Sequence, residues 1–583
     1  MRQAYLKLSL VMVIMYCLAL QAIAQDKLKV TERSGKTFRL KAQRIEDIYS
    51  YSGGKFWSIS SSGDNYYVAL YDENMNFVKG SYLKFKYAKK KLTFHSVVQF
   101  RGRYLIFLTF DNLKTDKKYL FYFEFEPDDL CVNPELFKVA EVKLADRYST
   151  YSDFDIRVSQ DKKYLLILGI PPARIKGVKK GFLASLISFP IDQERDPSIG
   201  INRFSYWLID KEMEIINYEK KHRMNVEDEN EDDHKFFIKD FVVDDDGTIY
   251  ILGENTIYNE MTSEEDGSQI ASIVGKKNRK KIGRARSWTD LDESQYMVEQ
   301  ISRNGTTSMF MTDRGVLYND AKILLEKDST VSLIALLAEQ IYDYKITTGI
   351  ARSRLNKKSL EVSSDVSENF SEEVLNTVNN IRETESKLTH RQKVRKEKAE
   401  KRRLSDYDME MKEIAKRAAL KCNSIAFCGL DENDNPVVVL EERYVTIVVT
   451  TTRDAQGNVT TTTTYYYSYD DLILAIFADD TLYQKGYEKS FTSINYQIKE
   501  PLAVSLKNGV ITITAQNQVL RTDTELGEIQ TYKLKGKSKS KKGKSNFTGN
   551  NFFTYRKTIN PDLIVAANQR RFGRTTWYKI VVD

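Results

Sequence analysis

The feature that most constrains the fold of this chain is a repeated pattern of two short β-strands joined by a polar turn. On each side of the turn, β-branched and aromatic residues alternate with polar ones, and Asp, Asn and Gly occupy the reversal. This pattern is typical of antiparallel hairpins. It occurs in the segments YYVALYDENMNFVKG, FSYWLIDKEMEIINYEK, MVEQISRNGTTSMF, LILAIFADDTLYQKGYE and NQVLRTDTELGEIQTYKL.

A second pattern, an apolar strand that ends near a glycine or a polar residue, recurs between these hairpins. Examples are KYLLILG, GTIYILGEN, SIAFCGLDEN, GVITITAQN and DLIVAANQ. Together the two patterns define units that begin near residues 50, 92, 153, 237, 310, 423 and 500, with a last strand pair near 552–583.

Such a spacing predicts an all-β fold, a β-propeller-like ring of about seven blades, with six or eight as alternatives. The N-terminal strand KTFRLKAQRI and the C-terminal TTWYKIVVD are predicted to share one blade. A pair of β-sandwiches is the rival architecture, because it uses the same short strands.

One region departs from the β pattern and predicts a helical, basic insertion over residues 347–421. Val374, Leu375, Val378 and Ile381 form one apolar helical stripe. A second stripe consists of Met411, Ile414 and Ala418.

Between these stripes, the segment His390–Arg403 holds eight Lys/Arg and two Glu. A solvated arm is the simplest interpretation of such a charge run. The alternative is contact of residues 391–403 with an anionic surface such as lipid headgroups, lipopolysaccharide or acidic glycan.

The first 24 residues have the pattern of a signal peptide. Arg2 and Lys7 precede an apolar run from Leu8 to Leu20, and Ala22-Ile23-Ala24 supplies the small residues that a signal peptidase recognises. Residues 25–583 are therefore expected to form the exported protein, in the periplasm or at the cell surface. No transmembrane segment is expected after the signal peptide, since the longest apolar candidate, Val331–Glu339, is too short to cross a bilayer.

The charge balance argues against a nucleic-acid-binding protein. The chain has 583 residues, with 89 Lys and Arg against 81 Asp and Glu, so the formal net charge is only +8 and both signs are mixed along the sequence. Beyond Cys17 in the leader, the cysteines are Cys131, Cys422 and Cys428. Cys422 and Cys428 either form a disulfide or remain two buried thiols.

The segment from Thr446 to Phe477, TIVVTTTRDAQGNVTTTTTYYYSYDDLILAIF, predicts a long two-stranded ribbon. Val445–Thr452 and Val459–Tyr467 are matched in length across a reversal that contains Gly457 and Asn458. Because threonines lie on both faces, neither face is strongly apolar. A ribbon exposed on both sides follows from this composition. It is interpreted as a protruding element without a ligand, with contact to a partner as the alternative.

The sequence singles out no catalytic, cofactor-binding or metal-binding residue. It contains no GxSxG, GxxxxGK[ST], HExxH or GxGxxG motif in the required context. The four histidines are His95, His222, His234 and His390. His222 and His234 flank an acidic run that is interpreted as a solvated loop in preference to a metal site.

The segment DENDNPVVVLEE places Asp431, Asn433, Asn435 and Glu442 at positions that bind calcium in an EF-hand. Pro436 stands where such a loop requires glycine, and a strand follows. A hairpin turn is therefore the predicted structure.

In its AxA-Q leader end, its hydrophobic-Asp-turn repeat and its basic helical insertion, the chain resembles a mostly uncharacterised group of exported β-propeller-like proteins of Gram-negative bacteria. The resemblance rests on pattern over most of the chain after the leader and transfers no functional residues. It implies a binding or scaffolding role, with an envelope protein or a glycan as partner, more often than catalysis. The alternative is a carbohydrate-active hydrolase or lyase that uses Asp/Glu pairs in the propeller channel, because such pairs leave no local motif.

Overall fold

The structure is a computed structural model, and it describes 22 stretches of the chain. These are residues 30–39, 44–63, 65–83, 85–87, 90–132, 135–144, 152–170, 203–224, 234–259, 290–312, 316–327, 329–341, 344–378, 423–453, 459–478, 481–489, 491–494, 502–515, 518–533, 555–560, 563–569 and 574–582. The predicted signal peptide, the second predicted helix and the basic arm 391–403 lie outside the described residues.

The fold is all-β and of the β-propeller class, with eight antiparallel sheets of four or five strands. The predicted class is confirmed, and the number of blades is eight, the upper of the two alternatives to seven. The seven repeat units of the sequence are seven blades, and the last strand pair, near 552–583, belongs to an eighth. The chain divides into two compact units, residues 1–60, 69–79 and 498–583, and residues 61–68 and 80–497.

Blade 1 contributes residues to both units. Its strands are β3 Arg44–Tyr51, β4 Lys55–Ser62, β5 Asn65–Tyr71 and β6 Phe77–Leu83, with a 3-10 turn at Ser52–Gly54.

The first unit contains two further blades. Blade 7 consists of β31 Leu502–Lys507, β32 Val510–Ala515, β33 Gln518–Asp523 and β34 Gln530–Lys533. Blade 8 consists of β35 Tyr555–Asn560, β36 Leu563–Gln569 and β37 Arg574–Val582, joined by the N-terminal β1 Val30–Ser34 and β2 Phe38–Arg39. Both N-terminal strands pair with β37, which confirms that the two ends of the chain share a blade.

Besides its residues of blade 1, the second unit contains blades 2 to 6. A small hairpin, β7 Lys86–Tyr87 and β8 Lys90–Lys91, precedes blade 2. Blade 2 has β9 Thr93–Phe100, β10 Arg103–Asn112, β11 Lys117–Glu126, β12 Cys131–Val132 and β13 Phe137–Lys143. Blade 3 has β14 Asp153–Val158, β15 Leu165–Ile170, β16 Arg203–Ile209 and β17 Ile215–Arg223. Blade 4 has β18 His234–Val243, β19 Ile249–Asn259, β20 Asp290–Ile301 and β21 Thr307–Met311.

Blade 5 has β22 Leu317–Leu325, β23 Thr330–Ile341, β24 Tyr344–Asn356 and β25 Val362–Asn369. A short helix, α1 Glu372–Val378, follows it. Blade 6 has β26 Asn423–Leu430, β27 Pro436–Arg453, β28 Val459–Ala478, β29 Thr481–Tyr487 and β30 Phe491–Ile494. No helix in the described part of the chain is both long and apolar enough to cross a bilayer.

The core lies between successive blades. Phe107 and Leu120 of blade 2 pack with Ile167 and Trp207 of blade 3 in one buried cluster. Equivalent clusters join blades 3 and 4, blades 4 and 5, and blades 5 and 6, and another joins blades 7 and 8. Because both faces of the middle strands are buried in this way, those strands are almost continuously apolar in sequence.

Five of the polar reversals share one five-residue geometry. In each, the first residue's N–H donates to the carbonyl of the fifth, and the fourth residue's N–H donates to the carbonyl of the first. The fourth residue has a φ between 63° and 87°, a region that favours Gly, Asn and Asp. Turns of this type begin at Asp72, Asp210, Asp244, Ser302 and Asp431.

The predicted helical segment 347–421 is wrong at its start. Residues 344–356 and 362–369 are strands β24 and β25, and the helix begins only at Glu372. Within β24, the buried Arg352 and the half-buried Arg354 both donate to the carboxylate of Glu326, which is 1% exposed. Helix α1 is short, and its Val374 and Val378 are buried against blades 5 and 6.

The predicted Thr/Tyr ribbon is confirmed in its pairing. Val445 lies opposite Tyr467 and Thr452 opposite Thr460, in one continuous register to Arg453 and Val459. Strands β27 and β28 are 18 and 20 residues long, whereas β26 pairs only with residues 436–442 of β27. The side chains of Thr460 to Thr463 are exposed, so both faces of this part of β28 are solvated.

Candidate functional site

The first strands of blades 3 to 6 lie side by side, in the position that lines the centre of a propeller. Three of them, β18, β22 and β26, contain a register shift. A β-bulge re-aims the side chains around it. Asp240 directly follows the bulge in β18, and Asp320 lies within the bulge in β22, so neither aspartate follows regular strand alternation.

Asp240 is a buried charged residue of this row, at 7% exposure. Its Oδ1 lies 3.3 Å from the guanidinium of Arg157 on β14 and 3.7 Å from Nζ of Lys322 on β22. Its Oδ2 accepts the backbone N–H of Ile323 at 3.4 Å. One carboxylate therefore connects the first strands of three consecutive blades.

Asp320 repeats this arrangement one blade further along. Its Oδ2 accepts the N–H of Ile425 on β26 at 3.0 Å, and its Oδ1 accepts the N–H of Ala321 at 2.9 Å. We call Arg157, Asp240, Asp320 and Lys322 the first-strand seam. Its carboxylates accept backbone N–H groups of the neighbouring first strands, which is a structural role.

Burial raises the pKa of Asp240, and this effect outweighs the opposing charges of Lys322 and Arg157. A buried carboxyl with a raised pKa is a group that can act as a general acid. Cys428 lies within the influence of the same charges, and burial raises the pKa of its thiol. The thiol therefore stays protonated and is unsuited to nucleophilic attack.

A comparable pair connects the first strands of blades 8 and 1. Nζ of Lys557 on β35 lies 2.7 Å from Oδ1 of Asp47 on β3 and 4.1 Å from the centre of the Tyr49 ring. Asp47 also accepts the N–H of Ile48 at 2.7 Å and the hydroxyl of Tyr49. As in the seam, the carboxylate accepts hydrogen bonds from neighbouring donors.

Two of the four histidines named from the sequence make hydrogen bonds that join neighbouring blades. His95 on β9 bonds through Nε2 to the carbonyl of Phe154 on β14, at 2.9 Å. His222 on β17 lies between Glu219 and Glu299. His390 lies outside the described residues, and so does the side chain of His234. Within the described stretches, no group of three or more His, Cys, Asp or Glu side chains is arranged to hold a metal ion.

The calcium-like segment is a hairpin turn, as predicted. The carboxylate of Asp431 accepts the backbone N–H groups of Asn433 and Asn435, both at 2.8 Å, and the side-chain amide of Asn435. Asp434, at φ 67°, completes the reversal. Cys428 is a free thiol, and its possible partner Cys422 lies outside the described residues.

Sequence reasoning missed the first-strand seam. Its signal is an aspartate just before a buried position in the first strand of several blades, as in IEDIYS, IKDFVVD and YNDAKILL. Each of these aspartates also accepts the N–H of the residue that follows it. The pattern is visible once the strands are aligned by blade, whereas the pairing of Asp240 with Arg157 is not.

No known family model matches the chain, and no curated protein matches it in sequence. Among solved structures, the polysaccharide lyase Uly1 is 9% identical with a TM-score of 0.33, over 84% of this chain and 89% of that one. The β-propeller domain of the Trilobed protease from Pyrococcus furiosus is 9% identical with a TM-score of 0.29, over 85% and 94%.

The GH93 α-L-arabinofuranosidase of Fusarium graminearum is 9% identical with a TM-score of 0.27, over 75% of this chain and 94% of that one. At these scores the likeness carries no argument about the activity of this chain.

Proposed function

We propose that this chain is an exported, non-enzymatic binding or scaffolding protein of the cell envelope. It contacts another protein or a glycan through its blade loops, its Thr/Tyr ribbon and the arm that includes residues 391–403. The leader pattern of residues 1–24 supports export, to the periplasm or the cell surface.

The observation that carries this proposal is that carboxylates of the first strands are bound to neighbouring backbone N–H groups and cations. Asp240, Asp320 and Asp47 each accept a backbone N–H, and Asp240 and Asp47 also pair with cations. A glycosidase-type pair needs one carboxylate free for attack or water activation beside a protonated partner. The use of these three carboxylates to join blades supports a binding role through exposed segments.

The test is crosslinking and recovery of partners from intact envelopes with the wild type and with a deletion of residues 380–421. The deletion starts after α1, because Val374 and Val378 belong to the core between blades 5 and 6. We expect the variant to keep the thermal unfolding of the wild type and to lose the recovered partner. Equal recovery by a folded variant would remove the arm from the proposal.

A carbohydrate-active hydrolase or lyase is the second candidate, and one observation favours it. Asp240 combines a raised pKa with two cations, Arg157 and Lys322, which are 45% and 31% exposed and therefore accessible to an anionic substrate. This function predicts product release from a panel of polysaccharides, and loss of that release in Asp240→Asn. Inert wild-type protein across a broad panel contradicts it.

A further inference from the structure

We propose that one face of blade 2 docks on a membrane surface rich in anionic lipid headgroups. The surface consists of the hairpin β7–β8, the turn between β10 and β11, and strand β13. We call it the blade 2 lysine surface. Its cations are Lys86, Lys90, Lys91, Lys114, Lys117, Lys138 and Lys143. The inference is independent of the proposed partner of the arm.

The hairpin β7–β8 is held in place by aromatic packing. Phe85 contacts Phe123 at 5.4 Å between ring centres, and Tyr87 contacts Phe121 at 4.7 Å and Phe110 at 5.7 Å. Because the contacts progress from Phe123 to Phe121 along β11, the hairpin extends toward the turn between β10 and β11. Its lysines are thus presented by a fixed element on the same side as that turn.

The lysines oppose one another across strands. Lys86 lies directly opposite Lys91, and Lys117 lies directly opposite Lys143. Like charges in opposed positions destabilise a sheet. Glu141 offsets part of this cost at Lys117, and an anionic surface over both ladders would relieve it further.

Acidic residues compensate only part of the positive charge of these lysines. Glu141 lies 2.6 Å from Lys117 and 2.6 Å from Lys138, and hydrogen bonds from these two lysines lower its pKa to about 2. On the hairpin strands, residues 111–117 and β13, the only other acids are Asp111 and Asp116, against seven lysines. The surface therefore keeps a net positive charge.

Two exposed side chains decide between a membrane and a soluble polyanion. Leu113, at the tip of the turn between β10 and β11, is 80% exposed, and Tyr87 is 41% exposed. Apolar tips and aromatic rings among lysines match the boundary between headgroups and acyl chains. A soluble acidic polysaccharide or an acidic protein would neutralise the lysines but leave Leu113 in water.

The test is partitioning of the purified full-length protein onto vesicles of phosphatidylcholine alone or mixed with phosphatidylglycerol. We expect partitioning onto the anionic vesicles to be at least about tenfold stronger and to fall with added salt. The triple variant K86Q/K90Q/K114Q should lose about tenfold in partitioning. Leu113→Asn should weaken it severalfold while leaving the salt dependence in place.

A matched triple variant, K211Q/K327Q/K358Q, removes three exposed lysines from blades 3 and 5 and should partition as the wild type does. Thermal unfolding of every variant checks the fold. Equal partitioning onto neutral and anionic vesicles overturns the proposal, and so does an equal loss in both triple variants. Binding of a soluble polyuronate without vesicle binding also overturns it.

Discussion

Nε2 of His222 lies 3.0 Å from Oε1 of Glu299, a residue 77 positions later in the chain, and this contact joins the last strand of blade 3 to the third strand of blade 4. Nδ1 of the same ring lies 2.6 Å from Glu219. Glu299 is 3% exposed, and His222 is 6% exposed. The rings of Phe204 and Tyr206 pack against the imidazole. The histidine is thus a buried link between two blades.

This link makes stability depend on pH. Burial lowers the pKa of His222, but hydrogen bonds and charge interactions with Glu299 and Glu219 outweigh burial and raise the pKa above its usual value. A raised pKa contributes stability that is complete below about 6.5, the unfolded value, and is lost as pH rises through the folded pKa. We expect the free energy of unfolding to fall over this upper range.

The variant His222→Gln removes the titrating group. It should be less stable than the wild type by about 1–3 kcal/mol at pH 6, because Glu299 loses a charged partner, and the difference should shrink at pH 9. Denaturant unfolding at both pH values measures this. A difference that is constant between the two pH values would show that the imidazolium contributes nothing.

The second prediction concerns the buried ion pair of blade 5. Arg352, 3% exposed, donates to Oε1 of Glu326 at 2.6 Å, and Ser332 and Thr330 donate to the same carboxylate. Although burial raises the pKa of Glu326, these hydrogen bonds and the charge of Arg352 lower it overall. Its stabilising contribution is therefore present above pH about 4.3 and is lost as the pH falls.

Arg352→Met should reduce the free energy of unfolding by about 1–3 kcal/mol, because the buried carboxylate of Glu326 loses its more buried cation but keeps Arg354. The double variant Glu326→Met with Arg352→Met serves as the control and should recover part of the loss. Equal destabilisation by the single and double variants would contradict the role of the charge.

The third prediction concerns a close approach between blades 2 and 3. A Cβ at Gly169 would lie 2.6 Å from Cγ1 of Val142 and 2.9 Å from the Trp207 ring, both in the buried cluster. Gly169→Ala should therefore cost about 1–3 kcal/mol through overpacking. Gly305 has open space and a φ of 86°. Gly305→Asn should cost less than about 1 kcal/mol, because asparagine tolerates this backbone region. Equal costs would contradict the close approach.

The sequence predicts the parts of this fold that depend on local chemistry. Strand pairs, the Asp-initiated turns and the ribbon follow from alternation and turn residues, so their positions are recovered well. The repeat favours seven blades over eight, whereas the blade shared by the two ends of the chain is predicted and confirmed. In that blade, β37 gains β1 and β2 through pairing across more than 500 residues.

The start of the helical segment was predicted wrongly and the first-strand seam was missed for the same physical reason. Both involve charged residues inside strands: Arg352 lies buried beside Glu326, and the buried Asp240 pairs with the partly exposed Arg157 and Lys322. Such compensation depends on neighbouring strands and blades that bring the opposite charge. The local sequence around a charged residue does not predict which distant residue supplies the opposite charge.

The most direct test of a binding rather than catalytic role compares wild type and Asp240→Asn in two parallel assays, partner recovery from envelopes and product release from a polysaccharide panel. Asparagine keeps an acceptor for the Ile323 N–H but loses the ion pairs with Arg157 and Lys322, so thermal unfolding is measured to check that the variant is folded. We predict equal partner recovery and no product from either protein. Product released by the wild type and abolished in the folded variant would contradict the account.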